Sequence, residues 1–240
     1  MRGQDAFSEN KDAFCENRDA CWRPGGMALT RRGLALCAFP PGARIADMAC
    51  GAGASVRLLQ EEGYRCVGLD LHAYGGDMHA KGTHADDSND NATHPDNART
   101  RDFPLIRARA EAPPFARESL DGVLCECALS LLKHPESVLR EFAAICRTNG
   151  RLLLTDLYLR EAGQSPAAIF SRRELENGLH AAGWRVVCFE DHSRELKEFA
   201  AQLLWHGEGH ALLWTPAACG KSVPWRACGY GLWIAQKEEQ

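Results

Sequence analysis

Two aspartates and two glycines in the first third of this 240-residue chain have the types and spacing to hold a nucleotide-like molecule. Residues 43–59 read ARIADMACGAGASVRLL: an apolar run ends near Asp47, Gly51 and Gly53 occupy a turn, and a helix opens at Ala54-Ser55-Val56. Glycine permits positive φ and leaves room for another molecule against the backbone, while a helix N-terminus offers unpaired N–H groups. Asp70 ends the next apolar run, 23 residues after Asp47, where a carboxylate can accept hydrogen bonds from both vicinal hydroxyls of a ribose. Ala49 stands where a first glycine is expected; its methyl fits a negative φ and strains a positive one.

Two kinds of ligand suit a strand, turn and helix of this form. A dinucleotide site wants GxGxxG, its third glycine packing the helix tightly while pyrophosphate rests on the helix N-terminus. Here Val56 holds that third place, and Asp47 repels a pyrophosphate. A cationic sulfonium and an α-ammonium are instead attracted by it.

The elements that must position these residues are legible in the apolar pattern. Short runs at Ala43–Asp47, Arg65–Leu71, Leu105–Arg109, Gly122–Glu126, Arg151–Leu157, Trp184–Glu190 and Tyr230–Ala235 are apolar without strict alternation. That pattern predicts parallel strands covered on both faces. Between them, Leu29, Leu34, Leu36 and Phe39 mark a helix stopped by Pro40-Pro41-Gly42, and Val138, Phe142 and Ile145 mark another, closed by Asn149-Gly150. Ser171-Arg-Arg-Glu174 is a capping-box pattern before a helix, and Ser193 is expected to cap one carrying Leu196, Phe199 and Leu203 on one face. Alternating β and α elements predict an α/β, doubly wound sheet in one domain. We take residues 1–21 as an N-terminal tail and 22–240 as that domain, with a polar loop insertion at 72–104 and a helical cover at 193–228.

Composition excludes several classes. The net charge is −4, which argues against nucleic acid as a partner. No apolar run is long enough to span a bilayer and the N-terminus lacks a signal-peptide core, so a cytoplasmic location is expected. The eleven cysteines form no CxxC pair and read as reduced core residues. The 72–104 insertion has no Val, Ile or Leu but carries His72, His79, His84 and His94. No spacing there fixes ligands on one face of an element, so no metal site is expected.

Taken in order, these motifs resemble the class I S-adenosylmethionine-dependent methyltransferases, in the small-molecule methyltransferase type 11 branch similar to ubiquinone-biosynthesis enzymes. The resemblance rests on ADMACGAG followed by GLDL, on AEAPPF at 110–115, on Asp121-Gly-Val-Leu-Cys, on Cys146-Arg-Thr-Asn-Gly-Arg-Leu-Leu-Leu, and on the final GYGLWIA. It implies a Rossmann-like seven-stranded sheet, mostly parallel with an antiparallel last strand and helices on both faces. It also implies S-adenosyl-L-methionine as cofactor. By that resemblance Ala49, Cys50, Gly51 and Gly53 give backbone against the methionine moiety and ribose, with Asp47 near the amino group. Asp70 takes the ribose hydroxyls, Leu71 packs on adenine, and Ala110 offers its N–H to the ring. The family's usual aspartate before that alanine is Arg109 here, so either Glu111 substitutes or the contact is absent. Cys125 and Glu126 border the methyl group.

The resemblance implies a methyl transferred in line to a small-molecule acceptor, whose identity the sequence does not give, and it leaves the oligomeric state open. Candidate bases are Glu126, His134, His192 and His206. CWRPGG at 21–26 and the 193–228 segment are where an acceptor pocket is expected. Three alternatives stay open at this point: a non-catalytic S-adenosylmethionine-binding or regulatory module, a metalloid methyltransferase using Cys125 and Cys127, and an NAD-dependent oxidoreductase.

Overall fold

The computed structural model describes residues 23–71, 104–160, 169–205, 213–214 and 223–239. The expected tail and almost all of the 72–104 insertion, including its four histidines, lie outside the described residues, as does His206. Helix α1 (Gly26–Cys37) leads into β1 (Arg44–Met48), α2 (Ala54–Glu61), β2 (Arg65–Asp70), β3 (Leu105–Arg107) and β4 (Leu120–Glu126). A 3-10 turn (Leu129–Leu131), α3 (Pro135–Ile145), β5 (Cys146–Leu159), α4 (Arg172–Ala181), β6 (Trp184–Asp191) and α5 (Ser193–Trp205) follow. The chain ends with the short strands β7 (Leu213–Trp214) and β8 (Val223–Pro224), which pair with each other, and with β9 (Cys228–Lys237).

Seven strands form one sheet in the order β3-β2-β1-β4-β5-β9-β6. β9 runs antiparallel to both β5 and β6, and the pairs from β3 through β5 are parallel. The expected doubly wound architecture is therefore present, with β9 as the antiparallel strand. Successive side chains of a strand point to opposite faces, and β4 sends Val123 and Cys125 into one core and Leu124 into another. The first core is closed by Val138, Leu139 and Phe142 of α3 with Leu175 and Leu179 of α4; the second by Leu29 and Leu34 of α1, Leu58 and Leu59 of α2 and Leu196 of α5. Helices on both faces explain why the strands lack polar alternation. α1 approaches β5 closely because Gly33 has no side chain: a Cβ there would lie 2.5 Å from Leu153 Cδ1.

Three local expectations are corrected. The third helix does not run to Asn149-Gly150 but ends at Ile145. Cys146 is already extended, is fully buried and pairs with Leu120, so β5 begins five residues before Arg151 and Asn149 adopts a positive φ inside it. Ser193 does not cap α5 with its hydroxyl: its own N–H donates to Asp191 Oδ1 at 2.8 Å, while Ser193 Oγ accepts from the Tyr230 N–H. The 193–228 cover is helical through Trp205 and then contains the β7–β8 pair. By contrast, the capping box is formed as read: Ser171 Oγ accepts from the Glu174 N–H, and Glu174 Oε2 accepts from Ser171 N–H at 2.7 Å. No helix among the described residues is long and apolar enough to cross a membrane.

Candidate active site

β1 pairs with β2 on one side and β4 on the other, and the chain returns to the far side of β1 only after β3. Ligands of open α/β sheets bind outside the carboxyl ends of strands at such a reversal. The turn after β1 is tied to the neighbouring strand: the Cys50 N–H donates to Leu69 O at 3.1 Å, and the Gly51 N–H donates to Asp70 Oδ2 at 2.9 Å. Gly51 and Gly53 take φ values of 53° and 79°, and nothing lies within 4 Å of where a Gly51 Cβ would be. Gly53 caps α2 without a side-chain hydrogen bond, which leaves the amide end of that helix to the crevice. Cys50 packs its thiol over Gly68, whose missing Cβ would lie 2.6 Å from Sγ. Ala49 departs from the favourable case, for its φ is 58°; the turn needs a left-handed residue there whether or not it is glycine.

Three carboxylates gather at this edge of the sheet. Asp47 is 3% exposed, Asp70 8% and Glu126 8%. Glu126 is held by three side chains: Arg23 Nη2 donates to Oε2 at 2.8 Å, Ser55 Oγ to Oε2 at 2.7 Å and Thr30 Oγ1 to Oε1 at 3.0 Å. Arg23 Nη2 also reaches Ser55 Oγ at 2.9 Å and bonds Thr30. One guanidinium from the segment before α1 thus joins α1, α2 and β4 over the site. Burial, and then the neighbouring Glu126 charge, push the Asp47 carboxyl well above its usual range; Arg23 opposes the rise and Asp70 adds to it.

The remaining expected residues divide by position. Leu71 is 43% exposed at the rim, where a flat ring can lie on it. Ala110 is buried, and Arg109 pairs with Glu111 at 3.6 Å from Nε to Oε2, so the two residues at the place of the family's aspartate face each other. Cys125 is fully buried on the α3/α4 side, whereas Cys127 packs with the opposite core. Burial is the main cause of a rise in both thiols, Cys125 well above the ordinary value and Cys127 to about 12. Thiols so placed do not supply a pair of thiolates, and the metalloid reading gains nothing from them. His134 is exposed just before α3, and His192 lies beyond β6, with Nε2 3.3 Å from Glu190 and Nδ1 3.1 Å from Glu195. Among the described residues no group of three or more His, Cys, Asp or Glu is placed to hold a metal.

Two residues here were missed by sequence reasoning. Arg23 lay inside CWRPGG, named only as a possible acceptor wall. Asp156 is buried within β5 and accepts from the Ser130 N–H at 2.8 Å, the Ser130 hydroxyl at 2.6 Å and the Leu157 N–H at 2.7 Å. It fastens the turn after β4, whose Cys127 N–H also donates to Thr155 O at 2.6 Å. A carboxylate inside the apolar run LLLTDLYL was the available signal.

Residues 46–154 match the family described as "Methyltransferase domain". A demethylmenaquinone methyltransferase of Corynebacterium urealyticum is 31% identical over 127 residues, 53% of this chain and 46% of its own length. The chain therefore spans about half the length of this curated relative. Among solved structures, the (4+2)-cyclase SpnF superposes with a TM-score of 0.64 at 19% identity, over 94% of this chain and 85% of that one. Geranyl diphosphate C-methyltransferase from Streptomyces coelicolor A3(2), solved with geranyl diphosphate and S-adenosyl-L-homocysteine, gives 0.62 at 15% identity, over 88% and 77%. At these identities the structural likeness establishes the fold.

Proposed function

We propose that this chain, whose residues 46–154 match the methyltransferase-domain family, is a class I S-adenosylmethionine-dependent enzyme that moves a methyl group from S-adenosyl-L-methionine to a small-molecule acceptor. The observation that carries this reading is the charge of the crevice: Asp47, Asp70 and Glu126 are all buried around a glycine turn, and Arg23 is hydrogen-bonded to Glu126. Such a site favours a ligand with more positive than negative groups over a pyrophosphate. The residues fit this cofactor. Open space above Gly51 admits a molecule against the backbone, and Asp70 ends β2 where ribose hydroxyls are taken in sheets of this kind.

The cofactor supplies a methyl group on a positively charged sulfur, already activated for displacement. What the chain adds is alignment and charge. The turn at Gly51 and Gly53 fixes the ligand's depth, Asp70 its rotation, and the buried carboxylates its cationic end. We take Glu126 as a holder of charge rather than a base, because its two oxygens already accept from three side chains. An acceptor proton is lost to solvent as the new bond forms. The acceptor enters over the turn after β4, which Asp156 fixes. Quinols come first among acceptors to try, on the strength of the demethylmenaquinone methyltransferase relative. The acidic net charge of the chain supports an enzyme without a nucleic-acid partner.

Calorimetry with S-adenosylmethionine and with NAD tests the reading. Binding of the first alone is expected, and Asp70→Ala should weaken it at least tenfold, since a hydrogen bond to a charged group contributes about 1.5–3 kcal/mol. NAD binding, or indifference to Asp70→Ala, overturns it. Tight binding without turnover across quinols, thiols and amines would point to a non-methylating use of the fold.

A further inference from the structure

His192 is a candidate base by residue type, yet it sits between the end of β6 and the start of α5. Its backbone is pinned there: the N–H donates to Tyr230 O of β9 at 2.7 Å, and the carbonyl accepts from the Leu196 N–H of α5 at 3.2 Å. Its ring stands between two carboxylates. Nε2 lies 3.3 Å from Glu190 Oε2 on β6, and Nδ1 lies 3.1 Å from Glu195 Oε1 on α5, near enough for an ion pair though not aligned as a hydrogen bond. Glu190 in turn takes the Arg32 guanidinium of α1 on both oxygens, with Nε at 3.2 and 3.1 Å and Nη2 at 2.5 Å. Asp191 is taken up elsewhere, by the Tyr158 hydroxyl and the Ser193 N–H. With a protonated imidazole, Arg32, Glu190, His192 and Glu195 make one row of alternating charge across α1, β6 and α5. His192 is the least exposed of the four, its side chain only 15% open to solvent.

A neutral imidazole has one N–H and one lone pair, so it can donate to only one of two facing carboxylates and turns its lone pair on the other. An imidazolium attracts both. The positive end of the α5 dipole works against that charge, so the two carboxylates are what sustain it. Glu190 carries the counterpart: Arg32 first, and His192 as well, hold its carboxyl below the usual range. We propose that His192 is a pH-operated staple between β6 and α5: protonated, it fastens the first turn of α5 to the sheet, and when its proton leaves to solvent that turn is released. α5 is the helical part of the 193–228 cover, so the staple sets how firmly that helix lies on the sheet at a given pH. The device does not depend on which acceptor is methylated.

Amide hydrogen exchange of the full chain without ligand, read by NMR at about pH 5.5 and about pH 8 and corrected for intrinsic rates, tests this on either side of the ordinary histidine range. Relative to the amides of α3, those in the first two turns of α5 are expected to lose about threefold in protection at the higher pH, the size of a part-exposed ion pair. His192→Gln, which cannot titrate, and Glu195→Gln, which removes one of the two charges, are each expected to abolish most of that difference. The imidazole ¹⁵N shifts of the wild-type chain should pass from two protonated nitrogens to one over the same interval. Equal relative protection of α5 at both pH values overturns the proposal, and so does a difference that persists in folded His192→Gln. Should neither variant fold, the wild-type shifts decide, since an imidazole whose charge does not change while α5 loosens is not the staple. No cofactor enters the experiment, so its failure leaves the proposed function standing.

Discussion

Each of the two central parallel strands leaves the sheet through a left-handed residue that is not glycine, Ala49 at φ 58° after β1 and Cys127 at φ 57° after β4. Left-handed backbone costs a non-glycine residue about 1–2 kcal/mol, and such positions gather where a binding site over-determines the chain. Both residues flank the crevice; Cys127 is fixed by its own N–H to Thr155 O, and Ala49 is followed at once by a bond of the same kind, Cys50 N–H to Leu69 O. Ala49→Gly therefore has an unusual sign. Glycine in place of alanine normally loses stability through the unfolded chain, but here it removes strain, and we expect a net gain of up to about 1 kcal/mol. The urea midpoint of the cofactor-free chain measures it, and a lower midpoint would mean that the turn accepts alanine without strain.

At the scale of elements, the decisive connection is Arg23. It reaches Glu126 across 103 residues of sequence and binds Ser55 and Thr30 as well. Removing one partner of a buried ion pair leaves the other uncompensated, typically at a cost of about 3–5 kcal/mol. Arg23→Met should lower stability by about that amount, and adding Glu126→Gln should recover most of the loss; equal and additive losses in the two single variants would show that the pair is not coupled. This connection also marks where sequence reading ran out. Strands and helices were legible because their apolar runs report how many faces are covered, and Asp47, Gly51, Gly53 and Asp70 were legible because they lie within one strand, turn, helix and strand. Arg23 and Glu126 carry no mutual signal in sequence, since only the fold brings them together. Asn149-Gly150 misled for the opposite reason: the dipeptide is a sound local stop signal, but burial of Cys146 and its pairing with Leu120 had already ended the helix.

The whole molecule keeps acids in its interior that most chains keep outside, and this fixes how its stability depends on pH. Burial raises Asp156 from 3.8 to about 6, although the hydroxyl and N–H of Ser130 and the N–H of Leu157 pull the other way, and Asp47 is raised as well. Between about pH 4 and pH 6 the folded chain thus holds protons that the unfolded chain has released, so each step up in pH through that window costs stability, at most about 3 kcal/mol for Asp156. Among the described residues, the carboxylates with the opposite shift are Glu174, lowered mainly by Ser171; Glu190, lowered mainly by Arg32; and Asp191, where hydrogen bonds from Ser193 and Tyr158 outweigh burial. Their contributions are present above their unfolded pKa values and are lost only as the pH falls through the folded ones, below the Asp156 window. The cofactor-free chain is therefore expected to resist urea better near pH 5 than near pH 7, and Asp156→Asn, which cannot ionise, should flatten that difference. A bound cation beside Asp47 reverses part of the trend, because it favours the ionised acid. Urea midpoints taken at both pH values, with and without S-adenosylmethionine, measure both effects: a chain more stable at pH 7 than at pH 5 without ligand would show that its buried acids are ionised and compensated before any cofactor arrives.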